Sequence, residues 1–199
     1  MFISRVRITN FANFQSLDIT TGEDMVIVGE NKVGKSNFIR AIQLILDPSL
    51  SERDRRLSLE HFWDGLGDNK LGETVEVSIE LTEESDDPRL LRYLADAIVD
   101  VGPPFVARLT YRFQPRPGIG RPPTSLAEYE FVIFGGEDTD NGYGSDLRRM
   151  IPLDCGPSYW MIQHLNFEPW RRCRVLKRQE HQDAHDRFGS ISKNGCRVT

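Results

Sequence analysis

Nine consecutive residues, Gly29 to Asn37, have the composition and spacing of a loop that binds phosphate. Their sequence, GENKVGKSN, fits the P-loop pattern G-x-x-x-x-G-K-[ST], with Gly29, Gly34, Lys35 and Ser36 at the fixed positions. Glycine lets the backbone turn so that successive N–H groups point at phosphate oxygens. Lys35 supplies a point charge for the outer phosphates, and the Ser36 hydroxyl is a ligand suited to Mg²⁺. The pattern predicts binding of a nucleoside triphosphate, namely ATP with Mg²⁺.

The residues on either side of the loop are those that a phosphate-binding loop requires. The apolar run Met25–Val28 predicts a buried strand of a parallel sheet, and 37–46 predicts a helix that Asp47-Pro48 ends. That helix presents its positive N-terminal end to the same anion. The predicted nucleotide-binding residues, of which Ser36 is also the metal ligand, are Gly29, Glu30, Asn31, Lys32, Val33, Gly34, Lys35, Ser36 and Asn37.

Composition predicts a cytoplasmic protein of one domain or slightly more. The chain has 199 residues, 39% of them hydrophobic, which is enough for a core. It contains no apolar run near the ~18 residues of a membrane span, and its N-terminus lacks the apolar segment of a signal peptide. Three cysteines, Cys155, Cys173 and Cys196, form no C-x-x-C pair and suit a reducing compartment.

Charge divides the chain into an acidic body and a basic tail. Residues 155–199 contain eight Lys and Arg against four Asp and Glu, which leaves 17 basic and 26 acidic residues in 1–154. Phosphate contacts with DNA need clustered basic residues, so the body alone is not expected to bind DNA. Apolar periodicity disappears after about Leu165, and we expect 155–199 to be a tail, either partner-binding or the end of a truncated or frame-shifted copy.

Alternation of polar and apolar residues predicts two antiparallel strands before the P-loop strand and, after the long helix, an antiparallel meander with one inserted helix. The predicted strands are 4–8, 17–19, 74–81, 105–113 and 129–134. The strand at 74–81 is expected to have one wet face. A helix is predicted from Pro88 to Val101, with Asp87 as its N-cap. An exposed segment is predicted at 51–59 and a loop or flap at 115–123.

The N-terminal layout resembles the N-terminal lobe of ABC-type chromosome-maintenance ATPases, which include SMC heads, RecF-like proteins and the overcoming-lysogenisation-defect (OLD) nucleases. The residues that carry this resemblance are Ile8–Phe11, Phe14 and the run 27–31. The resemblance covers 1–154 and implies an α/β fold of the P-loop NTPase type, with a mixed sheet and an antiparallel side sheet. It implies an ATP-binding head that forms a homodimer of heads and meets DNA through the full-length protein or complex, in DNA repair, phage defence or chromosome maintenance.

Likeness to the OLD-type ATP-dependent endonucleases rests on Leu46-Asp47-Pro48 followed by Arg55, Arg56 and Phe62. The family also needs a Walker B strand that ends in Asp and Glu. The run 131–138 places its acids after a Gly-Gly turn, and 150–154 contains a proline that a central strand does not accept. A signature motif and a toprim-like acidic cluster are not recognisable either. We therefore expect little or no ATP hydrolysis by this chain.

Two other functions remain open at this stage. A GTPase is suggested by 31–36 and by the D-x-x-G match at 64–67, but Asn69-Lys70 lacks the aspartate of the guanine-reading N-K-x-D motif. A non-enzymatic, nucleotide-gated binding module is the second. His181 and His185 stand at i, i+4, but without the glutamate of H-E-x-x-H or a third ligand, chance explains them better than a metal site.

Overall fold

A six-stranded antiparallel sheet forms the body of the protein. The computed structural model describes residues 1–22, 25, 27, 33–68, 70–83 and 92–142, and the backbone of 153–156 and 159–162. The strands of this sheet are β1 (Phe2–Phe11), β2 (Phe14–Thr20), β3 (Val75–Glu83), β4 (Ile98–Asp100), β5 (Phe105–Pro115) and β6 (Tyr129–Gly135). Their order is β2-β1-β3-β5, and both β4 and β6 pair with the outer edge of β5. The predicted strands and the antiparallel side sheet are confirmed.

One face of the sheet is apolar and carries the helix α1 (Lys35–Leu46). Alternate residues of the central strands, such as Ile8, Ile79 and Leu109, are fully buried on this face. The buried α1 residues that join the same core are Phe38, Ile39, Ala41, Ile42, Leu44, Ile45 and Leu46. Burial of each large side chain contributes about 1.5–3 kcal/mol, so this contact fixes α1 on the sheet.

The opposite face of β3 was predicted to be wet, and this is wrong. Ser78 is only 5% exposed, and the hydroxyl of Thr110 on β5 donates to it across 3.3 Å. Next to this pair, Arg7 of β1 and Arg108 of β5 both form ion pairs with Glu80 of β3, at 2.7 and 3.1 Å. Two arginine side chains therefore lie across this face of β3. The long arginine stems cover the small polar residues between them.

The segment after α1 was predicted to be exposed, and at Arg55 this is also wrong. Arg55 closes the short helix α2 (Glu52–Arg55) and is 3% exposed. Its guanidinium donates to the carbonyl oxygens of Leu44 (3.1 Å), Leu50 and Asp47. These carbonyls lie at or beyond the end of α1, where intrahelical partners run out. A hydrophobicity pattern treats every arginine as a surface residue, which explains the error.

A helix was predicted from Pro88 to Val101, but the second half of this segment is not helical throughout. Residues 92–94 form a helical turn and 95–97 a 3₁₀ turn, after which Ile98–Asp100 become the strand β4. Leu94 and Ala97 are buried as the apolar stripe predicted, but Val101 is 77% exposed. The cause is the open edge of β5, whose backbone groups pair with β4 and compete with helical hydrogen bonds. The first half of the predicted helix, including Leu90 and Leu91, lies mostly outside the described residues.

Strand β6 begins and ends with close contacts that hold it in place. The fully buried Tyr129 accepts a hydrogen bond from the Gly72 N–H (2.6 Å) and donates to the Glu73 carbonyl (3.1 Å). At the other end, a β-carbon added to Gly135 would lie 2.7 Å from the Ala97 Cβ, so only glycine fits this approach. The Pro- and Gly-rich loop between β5 and β6 is present as predicted.

Two further parts of the chain lie outside the six-stranded sheet. Met25 and Ile27 pack partly buried against the core but are not in a strand, so a fully buried strand is not found at these two positions. A buried parallel strand needs parallel neighbours, and all strand pairs in the described residues are antiparallel. The backbone of β7 (Leu153–Gly156) and β8 (Tyr159–Ile162) forms an antiparallel pair that crosses the boundary predicted at 154.

Candidate functional site

The second half of the predicted phosphate loop leads directly into α1. Gly34 is the N-cap of α1 and has φ 104° and ψ 5°, a left-handed conformation that favours glycine. Lys35 is the first helical residue, and the first turn of α1 contains no acidic side chain. The positive end of the helix dipole therefore faces no competing carboxylate from its own first turn. An anion placed there would meet backbone N–H groups and a lysine together.

The predicted site residues divide into two groups by what the structure describes. Val33, Gly34, Lys35, Ser36 and Asn37 follow one another at the beginning of α1; Ser36 is exposed, and the other four are partly buried. The other four predicted residues, which are Gly29, Glu30, Asn31 and Lys32, lie outside the described residues. The described half has the glycine, lysine and serine in the order that the P-loop pattern requires.

The turn between β1 and β2 contacts this loop, and sequence reasoning missed that contact. The Asn13 side chain donates to the Val33 carbonyl (3.4 Å) and accepts from the Asn37 side chain (2.9 Å). A β-carbon added to Gly34 would lie 2.7 Å from Asn13 Cγ, so the second glycine of the loop is also needed for this approach. Local sequence patterns do not reveal this contact, because the partners of Asn13 lie 20 and 24 residues away along the chain.

The same turn is held from its other side by the segment around Trp63. The backbone N–H of Trp63 donates to the Asn10 carbonyl (2.9 Å), and the Ala12 N–H donates to the His61 carbonyl (2.8 Å). Asn10 and Ala12 have positive φ angles of 56° and 49°. Phe11 stacks on the His61 ring at 6.3 Å, and partial burial lowers the pKa of His61. The turn is thus a well-defined element against which the loop is placed.

The acids that follow β6 are directed away from α1. Glu137 is exposed and pairs with Arg108 (3.5 Å), which lies on the charged face of the sheet. Gly136 has φ 72°, and its N–H donates to the Arg108 carbonyl (2.9 Å). Asp138 accepts from the Asp140 N–H (2.9 Å) within the following turn. Because α1 packs on the other face, the ion pair of Glu137 with Arg108 holds this carboxylate on the side of the sheet away from α1.

The D-x-x-G match of the GTPase alternative lies in a different setting from a switch region. Asp64–Leu66 form a 3₁₀ turn, and Gly67 follows with φ 57°. The residue before them, Trp63, follows an isolated bridge between Phe11 and Phe62 rather than a buried strand. This geometry does not favour the GTPase.

Neither a metal cluster nor a membrane span is found in the part of the chain that the structure describes. No group of three or more His, Cys, Asp or Glu side chains there could hold a metal ion. No helix among those residues is long and apolar enough to cross a membrane. The histidine pair at 181 and 185 and all three cysteines belong to residues whose side chains are not described.

Comparison with known proteins bears on the predicted resemblance. Residues 1–99 match the family model described as an AAA ATPase domain. A stretch of 50 residues is 38% identical to endonuclease GajA of Bacillus cereus (strain VD045) and covers 25% of this chain and 9% of that protein. The match therefore spans less than a tenth of the length of this relative. The predicted kinship with ABC-type P-loop ATPases, and the α/β fold class, are confirmed.

Structural comparison also finds a chain from work on the "structural biochemistry of ATP-driven dimerization and DNA stimulated activation of SMC ATPases". The two are 20% identical, and the match covers 76% of this chain and 81% of that one, with a TM-score of 0.44.

Proposed function

Because the first half of the chain belongs to the N-terminal lobe of an ABC-type P-loop ATPase, we propose that the protein binds Mg-ATP through Gly29 to Asn37. The observation that supports this most is the left-handed Gly34 at the N-cap of α1, followed at once by Lys35 and Ser36. Backbone N–H groups, the lysine charge and the helix dipole then act on one anion.

Each described loop residue has a distinct role in the proposal. Lys35 neutralises charge on the outer phosphates, and the Ser36 hydroxyl is a ligand of the metal ion. Val33 and Gly34 contribute backbone groups where the loop joins the helix, and Asn37 lies on the next position of the first turn. Mg²⁺ held at Ser36 would help to neutralise the charge of the phosphates.

Replacing Lys35 by Ala tests the proposal. The affinity for a fluorescent ATP analogue should fall at least tenfold, which corresponds to about 1.4 kcal/mol. Lys70→Ala is the matched control, since it removes the same charge from a lysine whose ammonium contacts the Leu59 carbonyl (3.0 Å). Circular dichroism establishes that both variants are folded. Unchanged affinity in folded Lys35→Ala would refute the site.

We further propose that the 199-residue chain hydrolyses ATP slowly or not at all. Phosphoryl transfer needs a metal-holding acid and a residue that orients water, in addition to the loop. Two acids come nearest the Walker B pattern, and their contacts support the proposal: Glu137 pairs with Arg108 on the charged face of the sheet, and Asp138 accepts from the Asp140 N–H in the following turn. Robust turnover that Lys35→Ala abolishes and Glu137→Gln or Asp138→Asn leaves intact would reveal a metal-holding acid elsewhere in the chain.

The cellular role that we propose is that of an ATP-binding head in DNA metabolism, in the manner of OLD-type nucleases. The sequence match to an endonuclease supports this choice over a chromosome-maintenance head. Residues 1–154 carry 26 acidic against 17 basic residues, so DNA would be met through further protein, and heads would pair with one another. Sedimentation of the chain with and without an ATP analogue tests the pairing, and the absence of a nucleotide-dependent dimer would contradict it.

A further inference from the structure

The turn between β1 and β2 sets the direction of one backbone N–H group in the phosphate loop. Asn13 donates to the Val33 carbonyl at 3.4 Å. In a planar trans peptide, the C=O of Val33 and the N–H of Gly34 point in opposite directions. The Gly34 N–H is therefore turned away from Asn13, toward the other side of the loop.

Asn37 determines which end of the Asn13 amide faces the loop. The Asn37 side chain donates to Asn13 Oδ1 at 2.9 Å, so the acceptor end of Asn13 is used and its Nδ2 donor faces Val33. If the Val33–Gly34 peptide flipped, the Gly34 N–H would face another donor. Such an arrangement would lose the hydrogen bond between Asn13 and Val33 and bring two donors together, at a cost of about one net hydrogen bond because these groups are exposed to water.

The space around Gly34 shows that this approach is close. An added β-carbon would overlap the Asn13 amide, and Gly34 itself has a positive φ. Asn13 lies in a turn whose backbone is bonded to 61–64, so the contact is made by a fixed element.

We propose that Asn13 is a positioning residue of the nucleotide site, which keeps the Gly34 N–H directed at phosphate through the Val33 carbonyl and Asn37. The proposal rests on the proposed binding of Mg-ATP. In a P-loop, successive N–H groups point inward at the phosphates, and a peptide flip at Gly34 would remove one of them. Asn13 therefore acts through the backbone, not by contact with the nucleotide.

Binding of a fluorescent ATP analogue to the full chain tests the proposal with three variants. Asn13→Ala should weaken binding by about two- to tenfold, the equivalent of one net hydrogen bond. Asn37→Ala places the best helix former in α1 and should weaken binding similarly. The double variant should lose less than the product of the two single losses, because both act on one arrangement. Asn141→Ala is the control, since the Asn141 amide donates to the Asp96 carbonyl (3.3 Å), away from the β1–β2 turn and the loop.

A nuclear magnetic resonance measurement reports on the peptide directly, without nucleotide. Labelling valine carbonyls with ¹³C and glycine nitrogens with ¹⁵N selects the three Val-Gly pairs of the chain, at 28–29, 33–34 and 101–102. The Gly34 signal, identified by its loss in Val33→Ala, should move in Asn13→Ala and stay in place in Asn141→Ala. The Gly102 signal should not move in either.

The outcomes separate this inference from the proposed function. If the parent protein does not bind the ATP analogue, the proposed function fails, and the labelled Gly34 signal still tests the Asn13 contact. If the parent binds and Asn13→Ala binds equally well, the positioning role is refuted. Multiplicative losses in the double variant, or an equal loss in Asn141→Ala, would also refute it.

Discussion

Replacing Arg55 by Lys tests whether the end of α1 depends on the forked geometry of a buried guanidinium. The three carbonyls that Arg55 serves belong to Leu44, Asp47 and Leu50. A guanidinium reaches several acceptors from one planar group, whereas an ammonium is a single point donor on a flexible stem. Arg55→Lys keeps the charge at the negative end of the helix dipole, which is worth about 0.3–1 kcal/mol.

The expected loss follows from the carbonyls left without a donor. Lysine at position 55 can satisfy one of the three, and each buried acceptor without a partner costs about 1–3 kcal/mol. We expect the free energy of unfolding to fall by about 2–4 kcal/mol, and the melting temperature by at least about 4 °C for a chain of this length. Arg55→Met, which removes the charge as well, should be at least as destabilising.

Urea denaturation followed by far-UV circular dichroism measures the effect, with the slope checked for a change in two-state behaviour. Arg53→Lys is the matched control, because Arg53 belongs to the same short helix but is exposed, and such changes stay within about 0.5 kcal/mol. If Arg55→Lys is as stable as the parent within that margin, the guanidinium fork does not stabilise the helix end.

Three further changes have defined outcomes. Tyr129→Phe removes a buried hydroxyl with two partners and should cost about 1–3 kcal/mol in urea denaturation, whereas Tyr93→Phe, at a half-exposed ring, should cost less than about 0.5 kcal/mol. Gly135→Ala should lower the free energy of unfolding by about 1–3 kcal/mol through overpacking, while Gly142→Ala, with open space around it, should not. Burial lowers the pKa of His61, so the folded state favours the neutral ring. The stability that comes from the neutral His61 ring should be fully present above about pH 6.5 and should decline below it, because the unfolded chain takes up the proton more readily than the folded chain. His61→Gln should therefore reduce the pH dependence of the melting temperature. An equal pH dependence in the variant would contradict that reading.

Local pattern was sufficient for the parts of the fold whose side chains alternate or repeat. The strands β3, β5 and β6 and the helix α1 were predicted within a few residues, because each buries one face on a common core. The prediction failed where a neighbouring strand changed the outcome. Ile98 follows a helical stripe yet joins a strand, since the edge of β5 offers hydrogen bonds that a single sequence does not reveal.

The candidate site could be predicted only as far as its own loop. The order of Gly34, Lys35 and Ser36 was evident from the motif, and α1 begins at Lys35. The contact of Asn13 with the loop depends on how the β1–β2 turn lies against α1, which no local pattern encodes. Arg55 was missed for a related reason, because its partners are carbonyl groups and backbone acceptors leave no trace in side-chain periodicity.

The residues on which the resemblance to OLD-type nucleases was based make structural contacts that hold α1 at both ends. Asp47 ends the helix, and Arg55 returns to its carbonyl. The chain then continues to Phe62, which is 0% exposed and forms an isolated β-bridge with Phe11, the last residue of β1 before the β1–β2 turn. From that turn Asn13 reaches the loop at the other end of α1. The segment after the helix therefore connects the C-terminal end of α1 to the turn that positions its N-terminal end. A change anywhere along 47–63 that moves this turn should alter the phosphate loop, although none of these residues belongs to the loop itself.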